Sequence, residues 1–449
     1  MVAAAATAAD AAAAVDAAAA AGDAASVIRR ASRGEVSPRR TELSGGVVLL
    51  DIPLPVAQSV SFGVWLRRGS SSEEPAVAGV SHFLEHIVFK GTDSRSALEL
   101  AETFDAIGAI VDAFTTKDTV TFSMKVLPEF FDEALEALAD MVLRPALTPE
   151  AIALEQDVIC EEIQEALDTP EDRLHDAYAE HVFGAHRRGQ PILGTPETVR
   201  SFDTATLRRE HARLFAGENL VLSVAGNLPD GAIERIAAAF SRPPSSPADA
   251  VTPPTILLAP EARQPSELVL ESPILQTYFE IGNLGVSVAH PDRVPVLMLS
   301  NLLGGGMSSR IFQAVREREG LAYTIYNYTD MGPDAGLVSC AGSCSPDKEG
   351  RVREVVAGEY AQLLREGPTA AEIASNKAQI KSHLLFALEG THSQMARAAK
   401  NEIFFGRFLP IEELVALVDA VDHETLVRCA REWFDPDRLV HAAHRPVPR

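Results

Sequence analysis

Ser81-His82-Phe83-Leu84-Glu85-His86-Ile87-Val88-Phe89-Lys90 is the stretch from which the rest of the chain can be read. His82 and His86 are four residues apart, so on a helix of about 3.6 residues per turn both imidazoles leave the same face. Two neutral imidazoles placed in this way can grip one zinc ion. Glu85 lies beside His86 and three residues after His82, placed to act as a base toward water and not as a ligand. The order H-x-x-E-H is the inverted zincin motif, the reverse of H-E-x-x-H. An amphipathic helix whose histidines are ordinary core or surface groups gives the same letters, so the motif alone leaves both readings open.

A catalytic zinc needs a third protein ligand and an open position. Glu155-Gln156-Asp157-Val158-Ile159-Cys160-Glu161-Glu162 supplies candidates. Glu155 and Glu162 are seven apart, two helical turns, and share a face with Val158 and Ile159 between them. A face that mixes apolar residues with carboxylates is costly to bury unless a cation joins it. A solvated acidic helix is the competing explanation.

With these residues in view, the chain resembles the insulinase/pitrilysin (M16) peptidases, the family that includes mitochondrial processing peptidase, in their short two-domain bacterial form. The likeness is carried by His82-x-x-Glu85-His86, Phe89-Lys90-Gly91-Thr92 and Val158-Ile159-Cys160-Glu161-Glu162, with 75 residues between His86 and Glu162. It runs from about Arg40 to the C-terminus. The resemblance implies His82, His86 and Glu162 as ligands of one Zn²⁺ per chain, Glu85 as general base and Glu155 as a supporting carboxylate. It also implies an edge strand at Ala113, Phe114 and Thr115 along which substrate pairs, and a substrate-binding Arg and Tyr seven residues apart. Arg316 and Tyr323 match that spacing. Asp112 stands where the family usually has Asn, and a carboxylate accepts but cannot donate.

Composition narrows the class. The chain has 449 residues, 46% hydrophobic and 23% charged, which suits two or more globular domains. No strongly apolar run reaches membrane-spanning length, so no membrane span is expected. A net charge of −23 argues against nucleic-acid binding. Between Glu99 and Asp172 there are 19 acidic residues against three basic ones. Where such residues line a cavity they favour cationic peptides; on outer helix faces they only aid solubility. Four scattered cysteines without a C-x-x-C pair fit a reducing compartment.

Residues 1–38 begin as an Ala-rich low-complexity tail that matches neither a secretory signal nor an Arg-rich transit peptide. A cytoplasmic location is therefore expected, an organellar matrix being the alternative if the tail is a transit segment. Residues 39–240 read as the zinc-binding domain, with β-like patterning over Val60 to Leu66 and helices from Pro128 to about Phe183. Residues 241–257, rich in Pro and Ser, read as a linker. Residues 258–449 repeat the order strand, helix, strand, helices, but the helix matching the motif carries Val296-Leu297-Met298-Leu299 in place of metal ligands. The expected fold class is α+β: two duplicated domains, each a mostly antiparallel sheet covered by helices. Gly304-Gly305-Gly306 lacks the Lys-Ser or Lys-Thr of a P-loop.

The function expected is a zinc endopeptidase acting on short or unfolded polypeptides. A non-catalytic scaffold subunit of the same fold and a zinc-binding protein are the rival classes. Because the zinc residues and the Arg316/Tyr323 pair lie in different halves of one sequence, the resemblance implies a homodimer, or a heterodimer with a similar chain.

Overall fold

A computed structural model describes residues 35–241 and 265–447. The tail up to residue 34 and all of the expected linker except Ser241 lie outside the described residues. The chain divides into two compact units, one of Val36–Ala259 with Glu389–Phe408, the other built on Pro260–Leu388 and Leu409–Arg449.

The first unit holds strands β1 (Arg39–Glu42), β2 (Val48–Pro53), β3 (Val60–Leu66), β4 (Ile110–Thr115), β5 (Val120–Val126) and β6 (Leu220–Gly226), in the sheet order β1-β2-β6-β3-β5-β4. All neighbouring pairs are antiparallel except β2 with β6. On its inner face lie α1 (Val80–Ile87), α2 (Ala97–Ala106), α3 (Phe131–Leu143) and α4 (Pro149–Asp168), followed in the chain by α5 (Pro170–Phe183), α6 (Pro196–Arg200), α7 (Thr204–Leu214) and α8 (Ala232–Phe240). In the second unit β7 (Ser266–Ser272), β8 (Thr277–Gly285), β9 (Ala322–Met331), β10 (Gly336–Cys344) and β11 (Val440–Pro446) form a sheet in the order β7-β11-β8-β10-β9. Its helices are α9 (Arg293–Gly304), α10 (Glu349–Glu366), α11 (Ala370–Phe386), α13 (Ile411–Ala420) and α14 (His423–Trp433), with a π-helical turn at Phe312–Arg318. Strand for strand, β7-β11-β8-β10-β9 repeats β2-β6-β3-β5-β4, including the single parallel pair. The α+β duplication expected from the order of patterns is the observed architecture.

One helix crosses the boundary expected from the sequence. α12 (Thr391–Phe405), assigned there to the C-terminal domain, packs on the outer face of the first sheet. Its Met395, Ala398 and Ala399 meet Val48, Leu50, Ile52, Trp65, Val221 and Ala225. Alanines let the helix approach closely, and Ser223 Oγ donates to the Met395 carbonyl at 2.9 Å. The Glu402 carboxylate accepts from Arg40 Nε at 3.1 Å and from Arg67 Nη2 at 2.9 Å. Chain order says nothing about such long-range packing.

Candidate metal centre

Two stripes run along α1. Val80, Phe83, Leu84 and Ile87, spaced i, i+3, i+4, i+7, are buried in the core of the first unit. Ser81 aside, the opposite stripe is His82, Glu85 and His86. Burial of the apolar stripe therefore aims all three polar groups one way, toward α4 and the end of β4.

α4 starts cleanly: Thr148 Oγ1 accepts from the Ala151 amide at 3.2 Å and Pro149 occupies the first turn. Ile152, Ile159 and Ile163 anchor it to the core, and Glu155 is buried beside them at 1% exposure. Val158, expected on the same buried face, is exposed. At about 100° per residue it falls some 60° from Glu155 on the side away from Ile159, so only Ile159 of that pair turns inward.

The two helices bring together the expected ligand set. Glu162 Oε2 lies 3.7 Å from His82 Nε2 and 3.6 Å from His86 Nε2. Among the described residues these three form the one group of His, Cys, Asp or Glu whose ligand atoms lie close enough, within 4.8 Å, to share a metal ion. Glu162 Oε2 is shielded from solvent and has no hydrogen-bond partner, a costly state that a cation relieves. Burial, with the nearby His86, pushes the His82 imidazole down to about 3, so it stays neutral and able to donate a lone pair. The residues present fit a zinc ion.

Behind the ligands, His86 Nδ1 lies 3.2 Å from Glu155 Oε2, and Lys90 Nζ reaches Glu155 Oε1 at 2.7 Å. Burial works against charge at both His86 and Glu155, but their mutual hydrogen bond and the surrounding charges outweigh it. The imidazole is raised and the carboxyl lowered. Glu155 thus turns Nε2 of His86 toward Glu162. Lys90 was visible in the sequence only as part of a family word; its ion pair with Glu155 needs the folded chain.

Glu85 faces the same space from a different angle. Burial raises its carboxyl above the usual range, partly offset by the hydrogen bond from Thr115 Oγ1 at 2.7 Å. A cavity of about 540 Å³ opens in front of it, lined by His82, Glu85, Glu162, Ala113, Phe114 and Thr115 and walled further by Glu165, Asp172, Asp176 and Leu193. β4 ends the sheet order and, among the described residues, pairs only with β5, leaving its other edge without a strand neighbour there.

Arg316 and Tyr323 lie in the second unit. The Arg316 guanidinium sits over the rings of Tyr323 at 4.3 Å and Phe312 at 4.9 Å and donates to the Tyr323 carbonyl at 3.0 Å. The Tyr323 side chain itself is exposed.

Two family models divide the chain, the insulinase model of peptidase family M16 over residues 49–196 and the M16 inactive-domain model over residues 201–380. The uncharacterized zinc protease YmxG of Bacillus subtilis is 36% identical over 399 residues, 89% of this chain and 96% of that protein. The chain belongs to peptidase family M16. Another relative, an uncharacterized zinc protease of Streptomyces coelicolor, is 32% identical over 90% of this chain and 88% of its own length. The fold is shared with a protease from Helicobacter pylori, TM-score 0.84 at 19% identity, covering 92% of this chain and 100% of that one. A peptidase M16 inactive domain from Pseudomonas fluorescens superposes with TM-score 0.82 at 18% identity, covering 92% and 98%.

Proposed function

We propose that this M16 protein is a zinc-dependent endopeptidase acting on short or unfolded polypeptides, with His82, His86 and Glu162 as the ligands of one zinc ion and Glu85 as general base. The observation that carries this is the convergence of two imidazole Nε2 atoms on a buried, unpartnered Glu162 oxygen, beside a carboxylate outside the ligand set. The zinc proteases named among the relatives support the metal. Bound there, zinc supplies Lewis-acid polarisation of a peptide carbonyl and makes water more acidic. Glu85 takes the proton from water at its carboxylate and returns it to the departing amine, a role suited to its raised proton affinity. Glu155 keeps the His86 ring in place.

An extended peptide adds alongside the open edge of β4, past Ala113, Phe114 and Thr115. Glu165, Asp172 and Asp176 on the cavity wall favour cationic side chains. Arg316 holds a substrate carbonyl and the Tyr323 phenol stabilises the oxyanion. Since each chain has one zinc set and one Arg/Tyr pair, a homodimer supplies two complete sites. The few, scattered cysteines support a reducing setting for the enzyme, the cytoplasm or, if the N-terminal tail is a transit segment, an organellar matrix.

Metal analysis and peptide turnover by the purified chain test this together. About one zinc per chain is expected, lost in His82→Ala, His86→Ala and Glu162→Gln. Glu85→Gln keeps its zinc while the rate falls roughly 10²–10⁴-fold; near-normal turnover by that variant overturns the assignment. Peptides rich in Lys or Arg should be cleaved with higher kcat/KM than matched acidic ones, the difference shrinking as salt rises.

A further inference from the structure

We infer that Glu73 is a positioning residue for the metal centre: its carboxylate clamps the first turn of α1 and so sets His82 and His86 against Glu162. This rests on the zinc reading above, and Glu73 touches no ligand directly.

A helix start leaves backbone N–H groups without partners. α1 begins after Gly79, which has φ +90° and no side chain with which to cap. The missing acceptors come from outside the helix. Glu73 Oε2 accepts from the Gly79 amide at 2.6 Å and Glu73 Oε1 from the Ser81 amide at 2.7 Å. Both bonds are short, and in the ionised form of the carboxyl they are charge-assisted and its charge sits at the favourable end of the helix dipole. At 1% exposure no water can take over either bond. Ser81 immediately precedes His82, so holding its amide holds the backbone from which that ligand springs.

The other end of the same segment is fastened to the substrate edge. The Ser70 amide donates to the Thr116 carbonyl at 3.1 Å and the Ser71 amide to the Lys117 carbonyl at 2.9 Å. The backbones touch at Gly69, where a Cβ would lie 2.2 Å from the Thr116 oxygen. Thr116 follows Thr115, the residue that donates to Glu85. Residues 69–73 are therefore a strut between the end of β4 and the start of α1. The start of α1 also lies close against the backbone of Leu193 and Gly194: a Cβ at Gly79 would lie 2.5 Å from the Leu193 carbonyl oxygen, so only glycine fits this contact.

Fold stability alone does not explain a carboxylate here. The apolar stripe of α1 is buried without it, and taking the Glu73 carboxyl out of water costs enough to push its pKa up to about 7 despite the two amides. What the apolar stripe cannot fix is a shift of a few tenths of an ångström along the helix axis, and metal sites are sensitive to displacements on that scale.

Glu73→Gln separates positioning from folding. Glutamine has one acceptor oxygen, and its NH₂ group meets an N–H donor. Expected in the folded variant are a zinc Kd weaker by about 10–100-fold in competition with a chromophoric chelator, a visible spectrum of the cobalt-substituted protein shifted from wild type, and a reduced kcat, while the far-ultraviolet circular dichroism stays unchanged. Glu73→Asp, charged but one methylene short, should show the same changes to a smaller extent, and it decides the matter if the Gln variant does not fold. A folded variant with wild-type zinc Kd, cobalt spectrum and kcat overturns the clamp while leaving the zinc site standing. A wild-type chain that takes up no zinc overturns the zinc reading and the clamp together.

Discussion

Thr115 Oγ1 donates to Glu85 Oε2 at 2.7 Å, tying the carboxylate on α1 to the last residue of β4. The bond stabilises the charged form of a carboxylate that burial disfavours, and it fixes which way the oxygens face. Thr115→Val keeps the shape and removes the donor. The expected result is unchanged zinc content with kcat lower by about 5-fold, the effect of about 1 kcal/mol from one lost hydrogen bond. Thr115→Ser should stay near wild type. Steady-state kinetics beside metal analysis check this, and a Val variant with full kcat would show that the bond does nothing for turnover.

Glu155 joins His86 to Lys90, with one oxygen on each. Glu155→Gln leaves the imidazole a weaker partner and Lys90 unpaired, and should weaken zinc binding by about 10–100-fold, the usual scale for groups that orient a metal-bound histidine. Lys90→Met should cost less, because Lys90 is partly exposed and solvent screens its charge. Chelator competition on both variants gives the order; a Lys90 variant more damaging than the Glu155 variant would contradict it.

How far these residues could be read before folding depends on what their partners are. His82, Glu85 and His86 were legible because the four-residue spacing of the histidines, with the carboxylate beside the second, is written in the letters themselves. Glu162 followed from a resemblance and from its two-turn distance to Glu155. Val158 misled because residues three and four apart diverge to opposite sides of a shared face, and the isoleucines at 152, 159 and 163 decide which side is core. Glu73 left no trace in the sequence, since its partners are backbone amides that every residue carries. The duplicated sheets were visible as a repeated order of patterns, whereas the docking of α12 on the first sheet depends on contacts between residues 172 positions apart (Ser223 and Met395) to 362 apart (Arg40 and Glu402).

Asp140 gives a pH prediction away from the metal. Its carboxylate is 1% exposed and accepts from Thr92 Oγ1 at 2.6 Å, Ser94 Oγ at 2.7 Å, Arg144 Nε at 2.8 Å and Arg95 Nη1 at 2.9 Å. Burial pushes the carboxyl up, but these donors together outweigh it and hold it at about 2. A carboxyl depressed in the folded state favours folding above its unfolded pKa of about 3.8, and that contribution is lost as pH falls toward about 2. Asp140→Asn should lower stability at pH 7 by about 1.5–3 kcal/mol, the size being limited by the half-exposed Arg144. Urea unfolding at pH 7 and at pH 3 should find the gap between variant and wild type narrower at the lower pH. A gap independent of pH would mean that the Asp140 charge is not what stabilises the loop carrying Thr92 and Ser94.

Assembly is testable by complementation. Glu85 belongs to the first unit and Tyr323 to the second, and in the proposed homodimer each working site takes them from different copies. Glu85→Gln and Tyr323→Phe chains are each expected to be nearly inactive as pure dimers. In a mixed dimer of that arrangement one site carries both defects and the other carries neither. Activity should then return to as much as about half of wild type per mixed dimer, given independent sites. If each chain instead uses its own Tyr323, every site in the mixture keeps one defect and nothing is recovered. Subunit exchange has to be verified separately, for example by native mass spectrometry of differently tagged chains. With exchange verified, an absence of recovery would sink the shared site without touching the assignment of His82, His86 and Glu162.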